Sequence, residues 1–204
     1  MINIPTGTYT LYIGGTDEDA AATGDLDITG DVTLTGTGAT TSIINGYGID
    51  RVLQISGATA TIENVKITGG TAGIVVDSSS SITVINSTIS DNAGSGIDAD
   101  YSSSVALINS TVSDNASSGI SAYFASIALT NSTVSRNTGH NGGGIWAGTP
   151  SAYTTTTTVT LTNSAISGNR ANIGGGIYSD SAVVGLYNVT IANNVAVLFL
   201  PVNS

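Results

Sequence analysis

Two aspartates, Asp98 and Asp100, stand two positions apart in the segment IDAD and could perform acid–base chemistry on a sugar chain. In an extended strand such residues point to the same side, about 6.5–7 Å apart. Glycosidases that invert configuration hold their two carboxylates about 6.5–9.5 Å apart. The pair is therefore a candidate catalytic pair for a polysaccharide lyase or hydrolase, and solvated surface charge is the simpler alternative.

The chain's one tryptophan, Trp146, belongs to a second group of residues that could bind a ligand. By strand alternation, its outward neighbours on adjacent coils are two tyrosines and four aspartates, namely Tyr123, Tyr178, Asp77, Asp98, Asp100 and Asp180. Aromatic rings suit the apolar faces of sugars, and carboxylates accept hydrogen bonds from hydroxyl groups. These residues predict a carbohydrate-binding face, for which ordinary cross-strand packing of aromatic residues is the structural alternative.

Four aspartates are calcium candidates, because stacked coils would bring Asp77 beside Asp100 and Asp91 beside Asp114. Calcium prefers hard oxygen ligands. No segment has the fixed alternation of a dedicated calcium loop, so solvated charge is again the simpler interpretation. The chain has no cysteine and therefore no thiolate metal site. Calcium aside, the sequence predicts no cofactor.

These residues are positioned by a repeat that runs through most of the chain. The phrase STISDNAGSGI at 87–97 returns as STVSDNASSGI at 110–120 and, in longer forms, twice more. One asparagine column marks the same place in successive repeats, at Asn64, Asn86, Asn109, Asn131, Asn163 and Asn188. A second column follows at Asn92, Asn115, Asn137, Asn169 and Asn194. Between these columns, alternating apolar residues predict three short strands per repeat.

A unit of three short strands cannot bury its apolar row alone, but stacked units enclose a continuous core. Crossovers between parallel strands are right-handed. The sequence therefore predicts an all-β, single-domain, right-handed parallel β-helix (a solenoid) of about seven three-strand coils. Within it, residues 1–50 form the N-terminal coils, 51–194 the regular coils, and 195–204 an apolar C-terminal segment or cap.

The first asparagine column is predicted to form a buried ladder at a corner of each coil. Asparagine tolerates the left-handed backbone conformation, and its amide can pair with the asparagine of the next coil. The alternative is glycosylation, because Asn86, Asn109, Asn131 and Asn188 begin the sequon N-x-T. The same asparagine recurs at Asn163 in NSA, which is no sequon, and this favours the ladder.

The second strand of each repeat predicts outward hydroxyl groups in three consecutive coils. They belong to Thr88, Thr111 and Thr133 and to Ser90, Ser113 and Ser135. A flat hydroxyl grid on a solenoid resembles an ice-binding surface. Lys66, Ala165 and Ala192 interrupt the grid on either side, and T-x-S is also ordinary strand sequence.

Composition excludes several partners. The chain has 14 acidic residues against four basic ones, a net charge of −10. It cannot neutralise a run of phosphates, so neither nucleic acid nor an anionic membrane surface is a fitting partner. No apolar run approaches the roughly 18 residues of a membrane span, so we expect no membrane insertion. The N-terminal MINIPTGTYT shows no signal peptide.

The repeat resembles a known family. TLTNSAISGN at 160–169 followed by GGGIYS at 174–179, together with residues 43–70, is similar to the right-handed parallel β-helix repeats of secreted bacterial surface proteins. Those repeats are related to pectate-lyase-like folds and to polymorphic outer-membrane-protein repeats. The resemblance implies an extracellular or cell-surface location for the parent protein. It also implies that a polysaccharide would lie on the third-strand face.

Two further expectations concern loops and ends. Longer loops after Asn137 and Asn169, and the stretch 148–158, are expected to wall a groove with His140, Tyr153 and Arg170 on its rim. A solenoid exposes strand edges unless its ends are covered, so we expect end-to-end association of identical chains or flanking sequence.

Together these features predict a non-catalytic extracellular module, a rigid spacer or adhesin-like domain that binds carbohydrate on the aromatic and acidic face. A polysaccharide lyase or hydrolase is the first alternative and an ice-binding solenoid the second.

Overall fold

The computed structural model describes residues 1–15, 22–149 and 156–197, and it contains only strands and turns within these ranges. The 25 strands, numbered here in chain order, form three parallel sheets and one short additional pair. Successive strands of the chain enter the three sheets in turn, so each passage through all three is one coil of a parallel solenoid. The all-β solenoid of about seven coils predicted from the repeat is therefore confirmed.

The first sheet contains β1 (Ile2–Ile4), β4 (Val32–Gly36), β7 (Thr59–Glu63), β10 (Ser81–Ile85), β13 (Ser104–Ile108), β16 (Ser126–Thr130), β19 (Thr158–Thr162) and β23 (Val183–Tyr187). The second contains β2 (Gly7–Thr10), β5 (Ser42–Asn45), β8 (Lys66–Thr68), β11 (Thr88–Ser90), β14 (Thr111–Ser113), β17 (Thr133–Ser135), β20 (Ala165–Ser167) and β24 (Thr190–Ala192). The third contains β3 (Leu26–Ile28), β6 (Leu53–Ile55), β9 (Ile74–Val76), β12 (Ile97–Asp100), β15 (Ile120–Tyr123), β18 (Ile145–Gly148) and β22 (Ile177–Asp180). The short pair joins β21 (Arg170–Ala171) to β25 (Val195–Ala196).

The core is a set of apolar columns that run along the solenoid axis. In the first sheet, Ile62, Val84, Leu107, Leu129 and Leu161 are register partners on successive coils, and each is buried. The other two sheets contribute equivalent columns of isoleucine, valine and alanine. Because every second residue of a strand faces inward, each coil buries apolar side chains that its own strands could not cover. This alternation also determines which residues face outward.

The first asparagine column does not form the buried ladder predicted from the sequence. Its members are exposed or half-buried, and their φ angles of +48° to +57° place them in the left-handed region. One side-chain hydrogen bond links the column, from Asn188 Nδ2 to Asn163 Oδ1 at 2.8 Å. The asparagines turn the corner by their backbone conformation, and this points their side chains away from the core.

The buried polar groups at this corner belong to serines that follow the asparagines. Ser110 and Ser132 are buried, and the Oγ of each accepts a hydrogen bond from the backbone N–H of the serine one coil earlier, at 3.2 Å. Each hydroxyl in turn donates to a carbonyl two residues before it in the chain. A serine column therefore satisfies the polar groups that the asparagine column was expected to satisfy.

Side-chain stacking of asparagines occurs in the second column instead. From Asn92 to Asn194, each Nδ2 donates to the Oδ1 of the next asparagine at 2.9–3.0 Å. The same Oδ1 accepts a bond from the backbone N–H of the preceding asparagine at 3.0–3.2 Å. Asn92, Asn115, Asn137 and Asn169 are buried. Buried amides with their donors and acceptors paired fix the alignment of successive coils.

The outward hydroxyl grid predicted on the second sheet is only half present. The threonines Thr88, Thr111 and Thr133 are half-buried register partners. The serines Ser90, Ser113 and Ser135 are buried, with at most 5% of their surface exposed. Corner residues beside them explain the burial, as where Ser90 Oγ donates to Asp91 Oδ2 at 2.8 Å. A flat two-column hydroxyl surface is therefore not formed.

Both ends of the described stack expose residues whose counterparts are buried in inner coils. Leu186 and Ile191 continue two core columns and are 44% and 48% exposed, and Ile2 at the other end is 54% exposed. Residues 195–197 lie in or beside β25, whereas 198–204 of the expected cap lie outside the described residues. End-to-end association stays a prediction. In the described part of the chain, no helix has the length and apolar character needed to cross a membrane.

Candidate functional site

The outward side of the third sheet brings the predicted ligand-binding residues into two neighbouring columns. The first, called here the tryptophan column, consists of Asp98, Ser121, Trp146 and Tyr178. The second, called the glycine column, consists of Asp77, Asp100, Tyr123, Gly148 and Asp180. Adjacent members lie on adjacent strands, which are spaced about 4.8 Å apart. The seven residues chosen from the sequence thus lie on one continuous face.

Trp146 and Tyr123 form a parallel aromatic pair across two coils. Their ring centroids are 6.0 Å apart and their planes differ by 7°. The indole lies over Gly148, where an added Cβ would be only 2.6 Å from Trp146 Cζ2. A side chain at position 148 would therefore force the indole to move. The absence of a side chain at Gly148 allows the indole to lie along the strand, next to Tyr123.

Two aromatic residues that sequence reasoning missed extend this pair. Tyr101 packs edge-on against Tyr123 at a centroid distance of 5.3 Å, and Phe124 packs edge-on against the same ring at 4.7 Å. Tyr101 is 51% exposed, whereas Phe124 is buried. Both follow strand ends and have left-handed φ angles, so strand alternation does not assign them to a face. We call Tyr101, Tyr123, Trp146 and Tyr178 the aromatic strip.

The carboxyl groups beside the aromatic strip have unusual acidities. Burial raises the pKa of Asp98, although hydrogen bonds with Ser95 and Ser121 oppose the rise. Burial also raises the pKa of Asp100, with a further increase from the negative charge of Asp77. A carboxylate that is costly to ionise gains from a proton, a hydroxyl donor or a cation nearby. Asp98 and Asp100 are therefore suited to contact a hydrogen-bond donor or a positive charge.

Gln54 connects the acidic end of this face to the preceding coil. Its Nε2 donates to Asp77 Oδ2 at 2.5 Å, and the side chain is buried, with 6% exposed. Gln54 is the register partner of Val75 and of Asp27, so it lies directly below the tryptophan column. The hydrogen bond orients the Asp77 carboxylate, a contact that the sequence pattern did not indicate.

One side of the face is bordered by the two long loops, as the sequence predicted. Thr138 bridges Arg170 and Asn141 bridges Ile173, so residues 138–144 and 170–176 stack coil on coil. At Gly142, which has a φ of +60°, an added Cβ would lie 2.7 Å from Trp146 Cα. The loop therefore presses directly against the strand that carries the tryptophan. Tyr153, expected on the opposite rim, lies outside the described residues.

His140 and Arg170, also expected on the rim, both lie in this loop pair and are exposed. His140 Nδ1 is 2.8 Å from Asn172 Nδ2, which ties the two loops together. These contacts stabilise the border of the face.

The other two calcium candidates are ion-paired on a different side of the solenoid. Asp91 Oδ2 is 2.9 Å from Lys66 Nζ, and a hydrogen bond from that lysine lowers the pKa of Asp91. Arg136 binds Asp114 through two hydrogen bonds of 2.7 Å and lowers the pKa of Asp114. Within the described ranges, no group of three or more His, Cys, Asp or Glu side chains could hold a metal ion.

Comparison with known families agrees with this architecture. The family model described as "Right handed beta helix region" matches residues 29–158, and the chain belongs to this family of right-handed parallel β-helices. The handedness predicted from the crossover rule is thereby confirmed.

Comparison with individual proteins gives one similar solved structure. It is the A-module of the mannuronan C-5 epimerase AlgE4 from Azotobacter vinelandii, with 14% sequence identity and a TM-score of 0.43. The alignment covers 94% of this chain and 86% of that chain. No curated protein matches the chain in sequence.

Proposed function

We propose that this protein binds a carbohydrate polymer on the aromatic strip, with the sugar chain running along the solenoid axis. The observation that carries the proposal is the parallel pair of Trp146 and Tyr123, which Gly148 allows to lie together on the outward face. Parallel rings offer adjoining surfaces for the apolar faces of sugar units. Carboxylates on the neighbouring strands accept hydrogen bonds from hydroxyl groups.

The direction of the bound chain follows from the order of residues on the face. Tyr178, Trp146 and Ser121 lie on three consecutive coils, and Asp98 lies one coil further along the same column. The distance from Tyr178 to Asp98 is therefore about 14 Å, three strand spacings of about 4.8 Å. A polymer along the axis would contact all of them, whereas a polymer along one strand would meet a single coil.

Affinity electrophoresis through gels that contain neutral, acidic or amino polysaccharides tests this proposal. We expect at least one neutral or amino polymer to retard the protein, and Trp146→Ala to abolish the retardation. Tyr187→Ala is the matched control, because Tyr187 is 63% exposed on the first sheet, away from the face. Equal migration of the native protein in every gel would overturn the proposal.

A polysaccharide hydrolase or lyase is the second candidate function. It is supported by the raised pKa values of Asp98 and Asp100, which share one side of β12 beside the aromatic strip. A carboxyl group that keeps its proton at higher pH can act as a general acid, while an ionised neighbour acts as a base. The non-catalytic spacer or adhesin-like role lacks this requirement.

Product analysis separates the two functions. An enzyme generates new chain ends, and Asp100→Asn should remove that activity while the variant still binds polymer in the gel. A binding module generates no new chain ends at any incubation time. Adding EDTA to both assays tests whether calcium at Asp77 and Asp100 contributes, since only a calcium-dependent site would lose affinity.

The same binding function supports an extracellular or cell-surface location for the parent protein, where polysaccharides are accessible. Secretion of the native protein, followed by fractionation of its producing cells, tests this part of the proposal.

A further inference from the structure

The charges around the aromatic strip restrict the kind of carbohydrate that would bind there. In the glycine column, Asp77 and Asp100 precede Tyr123 on consecutive coils, and Asp180 follows Gly148. Because the indole of Trp146 covers Gly148, the aromatic pair has carboxylates on both sides along the solenoid axis. Each carboxylate is about one strand spacing, 4.8 Å, from its aromatic neighbour.

Positive charge is placed elsewhere on the molecule. The seven strands of the third sheet, which all fall within the described ranges, contain no lysine or arginine. Of the four basic residues of the chain, Arg51, Lys66 and Arg136 form ion pairs with Asp25, Asp91 and Asp114. A polyanionic chain would therefore meet uncompensated carboxylates on both sides of the aromatic pair, whereas a cationic chain would complement them.

On this basis, and resting on the proposed carbohydrate-binding function, we propose that the preferred ligand is a polymer of amino sugars with free amine groups. Its rings would pack on Tyr123 and Trp146, and its ammonium groups would pair with Asp100 and Asp180. An ammonium group near the indole gains further from the electrons of the ring face. The N-acetylated form of the same polymer has the rings but lacks the charge.

The raised pKa values of Asp98 and Asp100 agree with this choice of ligand. Burial, and for Asp100 the charge of Asp77, makes ionisation of these carboxyl groups costly in the free protein. A cation within a few ångströms would remove part of that cost. A neutral sugar would supply hydrogen bonds but no charge, and an acidic sugar would increase the cost.

The test compares three oligosaccharides of equal length and linkage, which are oligomers of glucosamine, N-acetylglucosamine and glucose. Fluorescence of Trp146 reports binding directly, since it is the one tryptophan of the chain. The pH is chosen above the pKa of the carboxyl groups and below that of the amines. We expect the glucosamine oligomer to bind at least tenfold more tightly than the other two, with an advantage that shrinks as salt is added.

Two charge variants locate the effect. Asp100→Asn and Asp180→Asn should each lower the affinity for the glucosamine oligomer severalfold and leave the affinity for the glucose oligomer within twofold. Glu63→Gln removes the same charge from β7 on the first sheet and should change neither affinity.

The possible results distinguish this inference from the function on which it rests. If the acetylated or neutral oligomer binds as tightly as the amine form, the amino-sugar inference is wrong while carbohydrate binding stands. If none of the oligomers or gel polysaccharides binds, both are wrong. If an oligolysine peptide of similar charge binds as tightly as the glucosamine oligomer, the site recognises charge alone, and the inference is again wrong.

Discussion

At the residue scale, the shape of the face depends on a residue that lacks a side chain. Gly148 leaves the space that the indole of Trp146 occupies, and a Cβ there would approach two atoms of its six-membered ring at 2.6 and 2.7 Å. The tryptophan and tyrosine rings are parallel because this space exists. The aromatic pair is thus a property of three residues on two coils, none of which creates it alone.

Gly148→Ala should therefore weaken polymer binding about as strongly as Trp146→Ala. The added methyl group displaces the indole and disrupts its parallel contact with Tyr123. Gly148 has no left-handed φ, so an alanine there meets no backbone strain and the protein should still fold. The measurement is retardation in polysaccharide gels, with circular dichroism as the folding control. Unchanged retardation of a folded Gly148→Ala protein would show that the indole position does not matter for binding.

The acidity of Asp98 predicts a pH-dependent effect on stability. Its pKa is raised in the folded protein, so the ionised form is more costly there than in the unfolded chain. This penalty is present above the folded pKa, fades as the pH falls, and is absent below the ordinary value of about 3.8. Asp98→Asn should therefore resist urea better than the native protein at neutral pH, and the difference should vanish in acid.

Asp114→Asn provides a control of opposite sign. Arg136 lowers the pKa of Asp114, so its contribution to stability is present above the ordinary value and is lost as the pH falls through the folded value. Because this ion pair is exposed, the loss in the variant should be small, under about 1 kcal/mol. Two variants that shift stability in the same direction at neutral pH would contradict the assignment.

At the element scale, the corners between strands use asparagine in two different ways. The first column lies outside and supplies a left-handed backbone, while the second lies inside and forms a continuous series of amide hydrogen bonds. Both columns recur at the same interval in the sequence, yet only one of them is expected to matter strongly for stability.

Asn115→Ala should destabilise the protein by at least about 2 kcal/mol, because each buried group left unpaired costs about 1–3 kcal/mol. The substitution leaves Asn92 Nδ2 and the Asn92 backbone N–H without their acceptor. Asn109→Gly, in the first column, should change stability by less than about 0.5 kcal/mol, since glycine accepts a left-handed φ readily. Urea denaturation of both variants checks the pair, and a larger loss for Asn109→Gly would reverse the assignment.

The repeat was sufficient to predict the strands and the outward face, but not the roles of the corners. Alternation of period two assigns Asp98, Trp146 and Tyr178 to one side, and the sheet register places them there. In a turn no such alternation holds, so the sequence could not tell an inward asparagine from an outward one. The serine that follows most first-column asparagines was the available signal, because a recurring small hydroxyl at a corner suits burial.

Aromatic residues in turns escaped prediction for the same reason. Tyr101 and Phe124 follow strand ends with left-handed φ angles, and only the folded structure shows that they pack against Tyr123. The burial of Ser90, Ser113 and Ser135 is likewise a consequence of neighbouring corner side chains. An outward position in a strand pattern therefore does not guarantee an exposed side chain.

At the scale of the whole molecule, stacking turns small contributions from each coil into a long continuous core and a long continuous face. Leu107 lies midway along one core column and is fully buried between Val84 and Leu129. The net charge of −10 and the ion pairing of three of the four basic residues leave the aromatic strip within an acidic surface. The molecule thus presents a straight face whose shape suits a polymer and whose charge excludes polyanions.

Leu107→Ala should lower the free energy of unfolding by about 2–5 kcal/mol, because the coils above and below limit collapse into the cavity. Thr83→Ala, at an outward position of β10, is the control and should change stability by no more than about 0.5 kcal/mol. Urea denaturation curves provide both values. A loss below about 1 kcal/mol for Leu107→Ala would indicate that the column is not tightly packed.

The most direct test of carbohydrate binding is a fluorescence titration of the native protein with neutral and amino-sugar oligosaccharides. Trp146 is the one tryptophan of the chain, so any change in indole emission arises at the proposed site. We predict a saturable change in emission with at least one oligosaccharide, which Gly148→Ala weakens and Tyr187→Ala leaves intact. Emission that stays constant through every titration, with the protein folded, would contradict the assignment of this face as a carbohydrate-binding surface.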